Sequence, residues 1–384
     1  MKEHLVIHNF GPIREAEMDV RDLTIFVGPQ AVGKSLAAQV LYFLRGIEDL
    51  LLPEPKKPLE AALSALAWWL GNESSVYTGP GTLLSWAPVE PTAETAQEIR
   101  WDGNGARLGS ALEERLQTTQ SRQEDLQRAK VYIPAGRTLY SFLPPHSLLS
   151  RVLVSEEWPG YILRFYETLG RTIEWLWRKQ QEEEKDKPWF DNSPEAVFLR
   201  SRIDSVIKGQ IHYGPGTVLL YVGQEQLRPE TIAAGQMETW PFWAIVEAGI
   251  QAERLDLAQI YFEEPEAHLH PGAQRSVMEV VAYLVRRNTR FLLTTHSPYI
   301  LYAINNFLMA HKVLDAGRAL PAGVPPETAL RPEQVAAYCF SADGTVHDIM
   351  DTEVGLIDED ELDRVADELG ATFSRLQERL EGVE

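Results

Sequence analysis

The feature that most constrains this chain is a glycine-containing loop between an apolar strand and a helix. Residues 23–27 are mostly apolar and predict a buried strand, and from Leu36 to Leu51 apolar residues recur at helical spacing. Glycines let backbone N–H groups curve around a phosphate, and the N-terminus of the following helix adds a positive dipole. The sequence therefore predicts a phosphate-binding loop. Its residues are Gly28, Pro29, Gln30, Ala31, Val32, Gly33, Lys34 and Ser35.

Two polar side chains in this loop predict the chemistry of its ligand. Lys34 is expected to be catalytic, since at this position it holds the β- and γ-phosphates of a nucleotide, and Ser35 is expected to ligate Mg²⁺. The predicted ligand is therefore ATP with Mg²⁺, contacted along the loop from Gly28 to Leu36. The alternative is a glycine turn before a helix that binds nothing.

An apolar strand that ends in acidic residues is the second candidate for the site. Residues 260–262 are Ile, Tyr and Phe, and Glu263, Glu264 and Pro265 follow them. Glu263 is expected near Mg²⁺ as a ligand, at a position where aspartate is more usual. Glu264 is expected to act as a catalytic base that polarises the attacking water. Alone, the same pattern also fits an acidic turn after a core strand.

Histidines beside these strands open two further interpretations. His296 follows the mostly apolar strand 291–295, where it can reach a γ-phosphate or can be a hydrogen-bonded histidine at a strand end. His268 and His270 lie just after the acidic residues and suggest a metal site, but no third ligand at a suitable spacing is evident. We expect a catalytic role for His296.

In this order the three segments resemble ATP-binding-cassette (ABC) ATPase heads, and more narrowly those of the SMC, RecF and OLD group. Asn9-Phe10-Gly11 in the first strand resembles the N-terminus of that group, residues 263–271 resemble the acidic run of OLD-type ATPases, and residues 295–298 resemble their switch-histidine segment. The resemblance covers roughly residues 1–50, 130–140 and 215–305. It implies an α/β P-loop NTPase fold of ABC-ATPase head type, with a mainly parallel core sheet, an antiparallel β subdomain and a helical insertion.

The resemblance also implies a site shared between two subunits. The segment that matches the signature of such heads is Ala233-Ala234-Gly235-Gln236 at the start of a helix. Backbone N–H groups of Gly235 and Gln236 would contact the γ-phosphate bound by the other subunit, so that ATP is sandwiched in a head-to-tail dimer. The two alanines depart from the usual Ser or Gly, so no hydroxyl is available there.

Two further positions are placed at the nucleotide by the resemblance. Asn9 lies in the opening strand and is expected to contact ATP. Arg137 follows the strand 131–134, where such heads usually carry a glutamine and OLD-like proteins often carry an arginine. Two readings of Arg137 stay open at this point, a contact to phosphate and an ion pair with an acid.

The pattern of strands and helices predicts core segments at both ends of the chain. Residues 1–140 are expected to form an N-terminal ATPase lobe with a variable insert over 52–130, and 216–310 a C-terminal ATPase lobe. A mostly helical insertion is expected over 141–215, and a separate polar helix is expected over 112–130. A C-terminal extension over 311–384 is expected to end in an acidic amphipathic helix over 358–380.

Composition excludes several classes of protein. With 36 Lys and Arg against 56 Asp and Glu, the formal net charge of −20 argues against a surface that coats nucleic acid, although a local basic groove stays open. One cysteine excludes a disulfide framework or a multi-cysteine metal site within the chain. No apolar run approaches the roughly 20 residues that a membrane span needs, so we expect a cytoplasmic protein without a membrane partner.

These features favour an ATPase and sensor that acts through a separate effector. Only 88 residues follow His296, too few for the Toprim nuclease domain of OLD nucleases, and the 228 residues from Ser35 to Glu263 are too few for a long coiled coil. The chain resembles the ATPase subunits of anti-phage defence systems such as PARIS and Septu. That resemblance implies a homodimer or higher homo-oligomer formed by sandwiched ATP and a separate effector protein in trans, such as a nuclease.

Three other readings remain at this stage. A RecF- or SMC-like ATPase for DNA repair or DNA clamping is suggested by two basic stretches, and a non-hydrolysing scaffold by the Ala-Ala signature. A transporter ATPase fits poorly, because such heads are compact and need a membrane partner. The basic stretches are Arg286, Arg287 and Arg290, and Arg200, Arg202 and Lys208.

Overall fold

The computed structural model describes most of the chain. The described residues are 3–50, 57–71, 74–88, 92, 94–118, 130–135, 137, 158–182, 194–214, 217–227, 231–252, 258–358 and 370–379.

The strands, in chain order, have the following bounds: β1 Glu3–Phe10, β2 Ile13–Val20, β3 Leu23–Val27, β4 Leu83–Ala87, β5 Gln97–Asp102, β6 Gly105–Leu108, β7 Lys130–Ile133, β8 Gln210–Gly214, β9 Thr217–Val222, β10 Glu225–Leu227, β11 Gln259–Glu263, β12 Arg290–Thr295, β13 Val335–Phe340, β14 Val346–Asp348, β15 Met350–Asp351 and β16 Leu356–Ile357.

The helices, in chain order, have these bounds: α1 Lys34–Leu50, α2 Pro58–Leu70, α3 Ser74–Tyr77, α4 Ser110–Thr118, α5 Gly160–Glu182, α6 Pro194–Ile207, α7 Ala234–Gln251, α8 Pro271–Val285 and α9 Pro298–Asp315. Residues 370–379 form a further helix. Local sequence sets many of these ends: α2 begins with a proline and ends at Gly71, whose φ of 85° no other residue type adopts as readily.

The core is a sheet with the strand order β14-β13-β3-β12-β11-β7. Its strands run parallel from β13 through β7, and only β14, at one edge, is antiparallel. Strands β3, β11 and β13 are buried along their whole length, as expected for parallel strands that helices cover on both faces. The carboxyl ends of β3, β12 and β11 consequently lie side by side at one edge of the sheet.

A second sheet is antiparallel, with the order β2-β1-β4-β5-β6. Alternate residues of β1 are buried, including Leu5 and Ile7, which belong to a hydrophobic core shared with α1 and α2. The sequence assigns 52–130 to a variable insert, yet residues 83–108 of that stretch form β4, β5 and β6 beside β1. This part is therefore integral to the sheet, a correction to the predicted insert.

The predicted C-terminal extension also contributes to the core. Val335–Phe340 forms β13 directly beside β3, with Cys339 opposite Val27. Part of the segment predicted as a C-terminal extension over 311–384 thus lies in the core sheet. The run Val-Ala-Ala-Tyr-Cys-Phe is short and has no alternating polar pattern, so periodicity alone does not distinguish it from a buried helical segment.

The predicted helical insertion has two helices and part of a small sheet. Helices α5 and α6 cover residues 160–207 with a gap at 183–193, which lies outside the described residues together with 141–157. Residues 210–214 are a strand rather than helix, in a three-stranded antiparallel sheet with the order β10-β9-β8. The helix predicted over 112–130 spans 110–118, and Lys130 begins β7; residues 119–129 lie outside the described chain.

The predicted acidic helix near the end of the chain is described only in part. Of the acidic helix predicted over 358–380, residues 359–369 and 380 lie outside the described residues, and 370–379 are helical and solvent-exposed throughout. Among the described helices, none combines the length and apolar character required to cross a bilayer.

A buried carboxylate on α7 makes stability depend on pH. Glu247 is 5% exposed, and the hydroxyl of Tyr213 on β8 donates to its Oε2 at 2.6 Å. Burial raises the pKa of Glu247 to about 8, and the hydrogen bond from Tyr213 acts in the opposite direction. The folded chain therefore keeps this carboxyl protonated at neutral pH.

We predict that Glu247→Gln gains stability relative to the wild type as pH rises. Below about pH 8 the folded chain holds the proton, whereas in the unfolded chain the carboxyl ionises near its ordinary pKa of about 4.3. Between the pKa of the unfolded chain and that of the folded chain, the free energy of unfolding of the wild type falls by about 1.4 kcal/mol per pH unit. Above the pKa of the folded chain it falls no further on this account. Urea unfolding at about pH 5.5 and about pH 8 measures the difference.

The matched control is Glu225→Gln, which changes an exposed glutamate on β10. Its effect on the free energy of unfolding should be small and equal at both pH values. An equal effect of Glu247→Gln at both pH values would contradict the assigned protonation state.

Candidate functional site

The loop between β3 and α1 has a backbone that only glycine adopts readily at two positions. Gly28 has a φ of 138° and Gly33 a φ of 102°. A Cβ on Gly28 would lie 2.3 Å from the carbonyl oxygen of Phe340, and one on Gly33 would lie 2.6 Å from Cγ1 of Ile13. The loop is therefore held between the end of β13 and the turn after β1.

Lys34, the first residue of α1, folds back onto its own loop. Its Nζ donates to the carbonyl oxygens of Gly28 at 2.8 Å and Pro29 at 2.6 Å, and lies 3.4 Å from Nδ1 of His296. Burial lowers the pKa of Lys34 to about 8, with Glu264 and Glu266 acting in the opposite direction. An ammonium group held by neutral carbonyls and short of full solvation favours an anionic ligand.

Glu263, at the end of β11, is buried within a shell of donors. Oε1 accepts from the hydroxyl of Tyr132 at 2.6 Å and Oε2 from the backbone N–H of Ala135 at 2.9 Å. Burial raises the pKa of Glu263, while hydrogen bonds from Tyr132, Ala135 and the Ser35 side chain favour its carboxylate form. The hydroxyl of Ser35 and the carboxylate of Glu263 therefore lie together at the start of α1.

This pair of oxygen ligands fits magnesium. Mg²⁺ is usually bound by one or two carboxylates and takes its remaining ligands from phosphate and water. Among the described residues there is no group of three or more His, Cys, Asp or Glu that could hold a metal. Nδ1 of His270 accepts the N–H of Gly272 at 3.2 Å and caps α8. The metal interpretation of His268 and His270 therefore gains no third ligand among the described residues.

Glu264 and His296 face each other across the edge of the sheet. Oε1 of Glu264 lies 3.4 Å from Nε2 of His296, and both side chains are partly exposed. Glu264 has a φ of 44°, and its N–H donates to the carbonyl of Thr294 at 2.8 Å. An Nε2–H tautomer of His296 would donate to Glu264 and accept from Lys34 through Nδ1. The structure thus brings Lys34, Glu264 and His296 into one cluster.

Glu266 is a site residue to which the sequence gives no role. Its Oε1 accepts from the hydroxyl of Thr295 and from the backbone N–H of His296, both at 2.7 Å. It thereby fixes the backbone that carries His296. Tyr132 is a second such residue, because it lies on β7 and reaches Glu263 across the sheet. Neither role follows from a local pattern, although Glu266 stands within the acidic run.

Arg137 is an ion-pair partner and not a nucleotide contact, which corrects one of its two readings. Its side chain is fully buried, and Nε lies 3.2 Å from Oε2 of Glu238 on α7. The guanidinium donates to the carbonyl oxygens of Pro134, Glu238, Glu263 and Glu264. A phosphate has no access to a side chain with no exposed surface.

The remaining predicted contacts lie at two other places. Asn9 has a φ of 49° at the end of β1, and its Nδ2 donates to the carbonyl of Gly81 at 3.2 Å. Gly235 lies in the first turn of α7, where a Cβ would come within 2.7 Å of the carbonyl oxygen of His268. The side chain of Gln236 is bonded to Ala233 N–H and to the carbonyl of Ile207, which leaves only its backbone for a ligand.

Several residues of the two basic stretches make contacts within the chain. Arg286 donates to the carbonyl of Ala329 at 2.7 Å, and Arg290 pairs with the buried carboxylate of Glu3. Arg202 pairs with Glu279 at 2.6 Å. Arg287 stacks over the ring of Tyr283. These contacts account for Arg202, Arg286, Arg287 and Arg290 without a nucleic-acid ligand.

The loop, the acidic strand end and the core sheet define the class of fold. The chain has an α/β P-loop NTPase fold of ABC-ATPase head type, with a mainly parallel core sheet, an antiparallel sheet and a helical region. The predicted fold class is confirmed.

Comparison with known proteins gives one family match. The family model described as "AAA domain, putative AbiEii toxin, Type IV TA system" matches residues 250–301, which include the acidic strand end and His296. No curated protein matches the chain.

Among solved structures, the chain is similar to three SMC heads at low identity. An SmcHead bound to the C-winged helix domain of ScpA has 12% identity and a TM-score of 0.45, covering 92% of this chain and 98% of its own. The SMC head domain from Thermotoga maritima has 11% identity and a TM-score of 0.40, covering 91% and 98%. An Smc head with an extended coiled coil, bound to the C-terminal domain of ScpA derived from Pyrococcus furiosus, has 11% identity and a TM-score of 0.42, covering 91% and 95%.

We predict that Gly28→Ala lowers the free energy of unfolding by about 1–3 kcal/mol or more. Alanine is strained at this φ, and its Cβ would meet the Phe340 carbonyl oxygen on β13. Chemical denaturation measures the change. The matched control is Gly79→Ala, where a Cβ has no neighbour within 4 Å and φ is not positive. Equal stability of the two variants would show that the loop is not held against β13.

Proposed function

We propose that this chain binds and hydrolyses Mg-ATP, assembles through sandwiched ATP and controls a separate effector protein. The observation that carries the proposal is the cluster at one edge of the core sheet. Lys34 lies 3.4 Å from His296, His296 lies 3.4 Å from Glu264, and the Ser35–Glu263 pair adjoins them. These are the groups that phosphoryl transfer to water requires, namely a phosphate cradle, oxygen ligands for a metal and a base.

Each residue has a defined task in this scheme. Lys34 exchanges its carbonyl partners Gly28 and Pro29 for the β- and γ-phosphates, which the backbone N–H groups from Gly28 to Leu36 also bind. Magnesium held by Ser35 and Glu263 would neutralise charge on phosphate oxygens. Glu264 accepts a proton from the attacking water. His296 donates a hydrogen bond to the γ-phosphate and reports its loss.

Assembly through ATP is supported by the start of α7. The first N–H groups of a helix lack intrahelical acceptors and point along the axis, which suits an anion. Gly235 and Gln236 occupy this first turn. We propose that these N–H groups contact the γ-phosphate held by a second copy of this chain, in a dimer or larger ring. A contact from Asn9 to the nucleotide is also proposed, and it would require Nδ2 of Asn9 to leave the carbonyl of Gly81.

An effector in trans, such as a nuclease, is the proposed output. Its support is that the described residues hold one cluster of phosphoryl-transfer groups and no second metal-ligating group. A role in anti-phage defence is supported by the description of the matching family model, which names a putative toxin and a toxin–antitoxin system. We also propose a cytoplasmic location. A RecF- or SMC-like clamp for DNA is the alternative, and the internal contacts of Arg202, Arg286 and Arg290 weigh against it.

The test is native mass spectrometry of Glu264→Gln with and without Mg-ATP, combined with a turnover assay of the wild type. The substitution keeps the size of the side chain and removes the base, so hydrolysis should fall about 100-fold or more while ATP still binds. We expect ATP to produce a larger assembly with one nucleotide per subunit. An effector that copurifies with this trapped state would be identified by its mass.

Two controls make the result specific. Glu225→Gln, on exposed β10, should retain wild-type turnover, and Lys34→Ala should lose nucleotide binding and assembly together. Turnover by Glu264→Gln equal to the wild type would contradict the role of Glu264. Nucleotide bound to a single subunit with no turnover in the wild type would favour a non-hydrolysing scaffold. Salt-sensitive DNA binding that depends on ATP would favour the clamp.

A further inference from the structure

Arg137 makes an unusual set of contacts for a fully buried cation. It follows β7 and donates Nε to the carbonyl of Glu238 at 2.6 Å, Nη1 to the carbonyls of Pro134 at 3.1 Å and Glu263 at 2.8 Å, and Nη2 to the carbonyl of Glu264 at 3.0 Å. Its guanidinium also lies over the ring of Phe262, 4.9 Å from the centroid. Apart from the ion pair with Glu238, these acceptors are backbone oxygens.

The acceptors belong to elements that are far apart in sequence. Glu263 and Glu264 end the acidic strand, whereas Glu238 lies in the first half of α7. One planar fork thus joins the start of α7 to the two peptide carbonyls that flank the Cα of Glu264. A lysine in the same place would supply a single ammonium group in place of this fixed fork.

The contact to Glu264 falls on a strained residue. A φ of 44° is uncommon for a non-glycine residue and is energetically unfavourable, so neighbouring contacts must hold it. Here the N–H of Glu264 is held by the carbonyl of Thr294, and its C=O accepts from Arg137 and from the N–H of Ala267. These contacts fix the direction in which the Cα–Cβ bond of Glu264 leaves the backbone, and Oε1 lies 3.4 Å from Nε2 of His296.

We propose that Arg137 is a positioning residue for Glu264: its guanidinium holds the left-handed backbone that aims the carboxylate at the attacking water, and it links that carboxylate to α7 through Glu238. The inference rests on the proposed function for its kinetic consequences. The geometric part of the inference is the placement of Glu264 against His296, and it can be tested without measuring turnover. Docking of a second subunit at the start of α7 would reach Glu264 through this link.

The main test is Arg137→Lys, which keeps the charge and loses the fork. We expect kcat to fall about 10- to 100-fold, because a small misplacement of a catalytic group has an effect of this size. The affinity for a fluorescent ATP analogue should stay within about threefold, since Arg137 does not reach the nucleotide. A parallel loss of kcat and nucleotide affinity would overturn the proposal in favour of a direct phosphate contact.

A double-mutant cycle separates positioning from general stability. In the Glu264→Gln background the carboxylate that Arg137 aims is already gone, so Arg137→Lys should change the residual rate less than twofold. The same fold loss in both backgrounds would mean that Arg137 acts independently of Glu264, and the proposal would be wrong.

A second variant guards against a folding defect of Arg137→Lys. The combined change Arg137→Gln and Glu238→Gln removes both members of the buried ion pair together, which avoids an uncompensated buried charge. It should show the same loss of kcat with unchanged nucleotide affinity. Glu238→Gln alone keeps the donation from Arg137 to the Glu238 carbonyl but leaves the buried guanidinium without its carboxylate, so its loss of kcat measures the contribution of the ion pair. A loss in Glu238→Gln as large as in Arg137→Lys would assign the effect to the ion pair.

A readout without turnover distinguishes failure of this inference from failure of the proposed function. The NMR signals of the His296 ring report the Glu264 carboxylate beside Nε2. In Arg137→Lys these signals should move toward their positions in Glu264→Gln. Unmoved signals would overturn the positioning role even in an active enzyme. Moved signals in a protein without turnover would support the positioning role and refute the ATPase.

Discussion

The parallel pairing of β3, β12 and β11 is the constraint on which the rest of the site depends. Val27 lies opposite Thr295, and Thr294 lies opposite Glu263. Because the carboxyl ends of parallel strands lie at the same edge of the sheet, strand pairing alone brings together the residues that follow each strand. A slip of two residues in either pairing would move the loop, the acidic pair or His296 by about 7 Å along the sheet.

Buried charge is the second organising element of this edge. Lys34, Glu263 and Arg137 all carry ionisable groups with little or no exposed surface. Each is held by fixed donors or acceptors, so the unfavourable desolvation of the group is offset within the protein. Fixed charges and dipoles are the main source of electrostatic catalysis, because they need little reorganisation as charge develops in the transition state.

The sequence predicts those site residues that come directly after an apolar strand. The loop from Gly28, the acidic pair at Glu263 and the histidine at 296 are all of this kind, and the structure brings them together. Contacts between residues far apart in sequence are harder to predict. Tyr132, which the sequence does not single out, reaches Glu263 over a separation of 131 residues. Arg137 has an ion pair with an acid as one of its two readings, but its partner Glu238, 101 residues away, does not follow from the sequence.

The fold shows the same division between local and long-range information. Alternating or continuous apolar runs predict β1, β3, β11 and β12, and the confirmed fold class follows from their order around the loop. The position of β13 beside β3 cannot be predicted in this way. A short apolar run after α9 does not indicate which strand it will pair with. Yet β13 supports the loop, since the carbonyl of Phe340 faces Gly28.

The most direct test of the central claim is an experimental structure with Mg²⁺ and a non-hydrolysable ATP analogue. The account predicts that Lys34 leaves the carbonyls of Gly28 and Pro29 for the β- and γ-phosphates. It also predicts Mg²⁺ about 2.1 Å from the hydroxyl oxygen of Ser35, with Glu263 beside it. Phosphates bound away from this loop, or a metal remote from both Ser35 and Glu263, would contradict it.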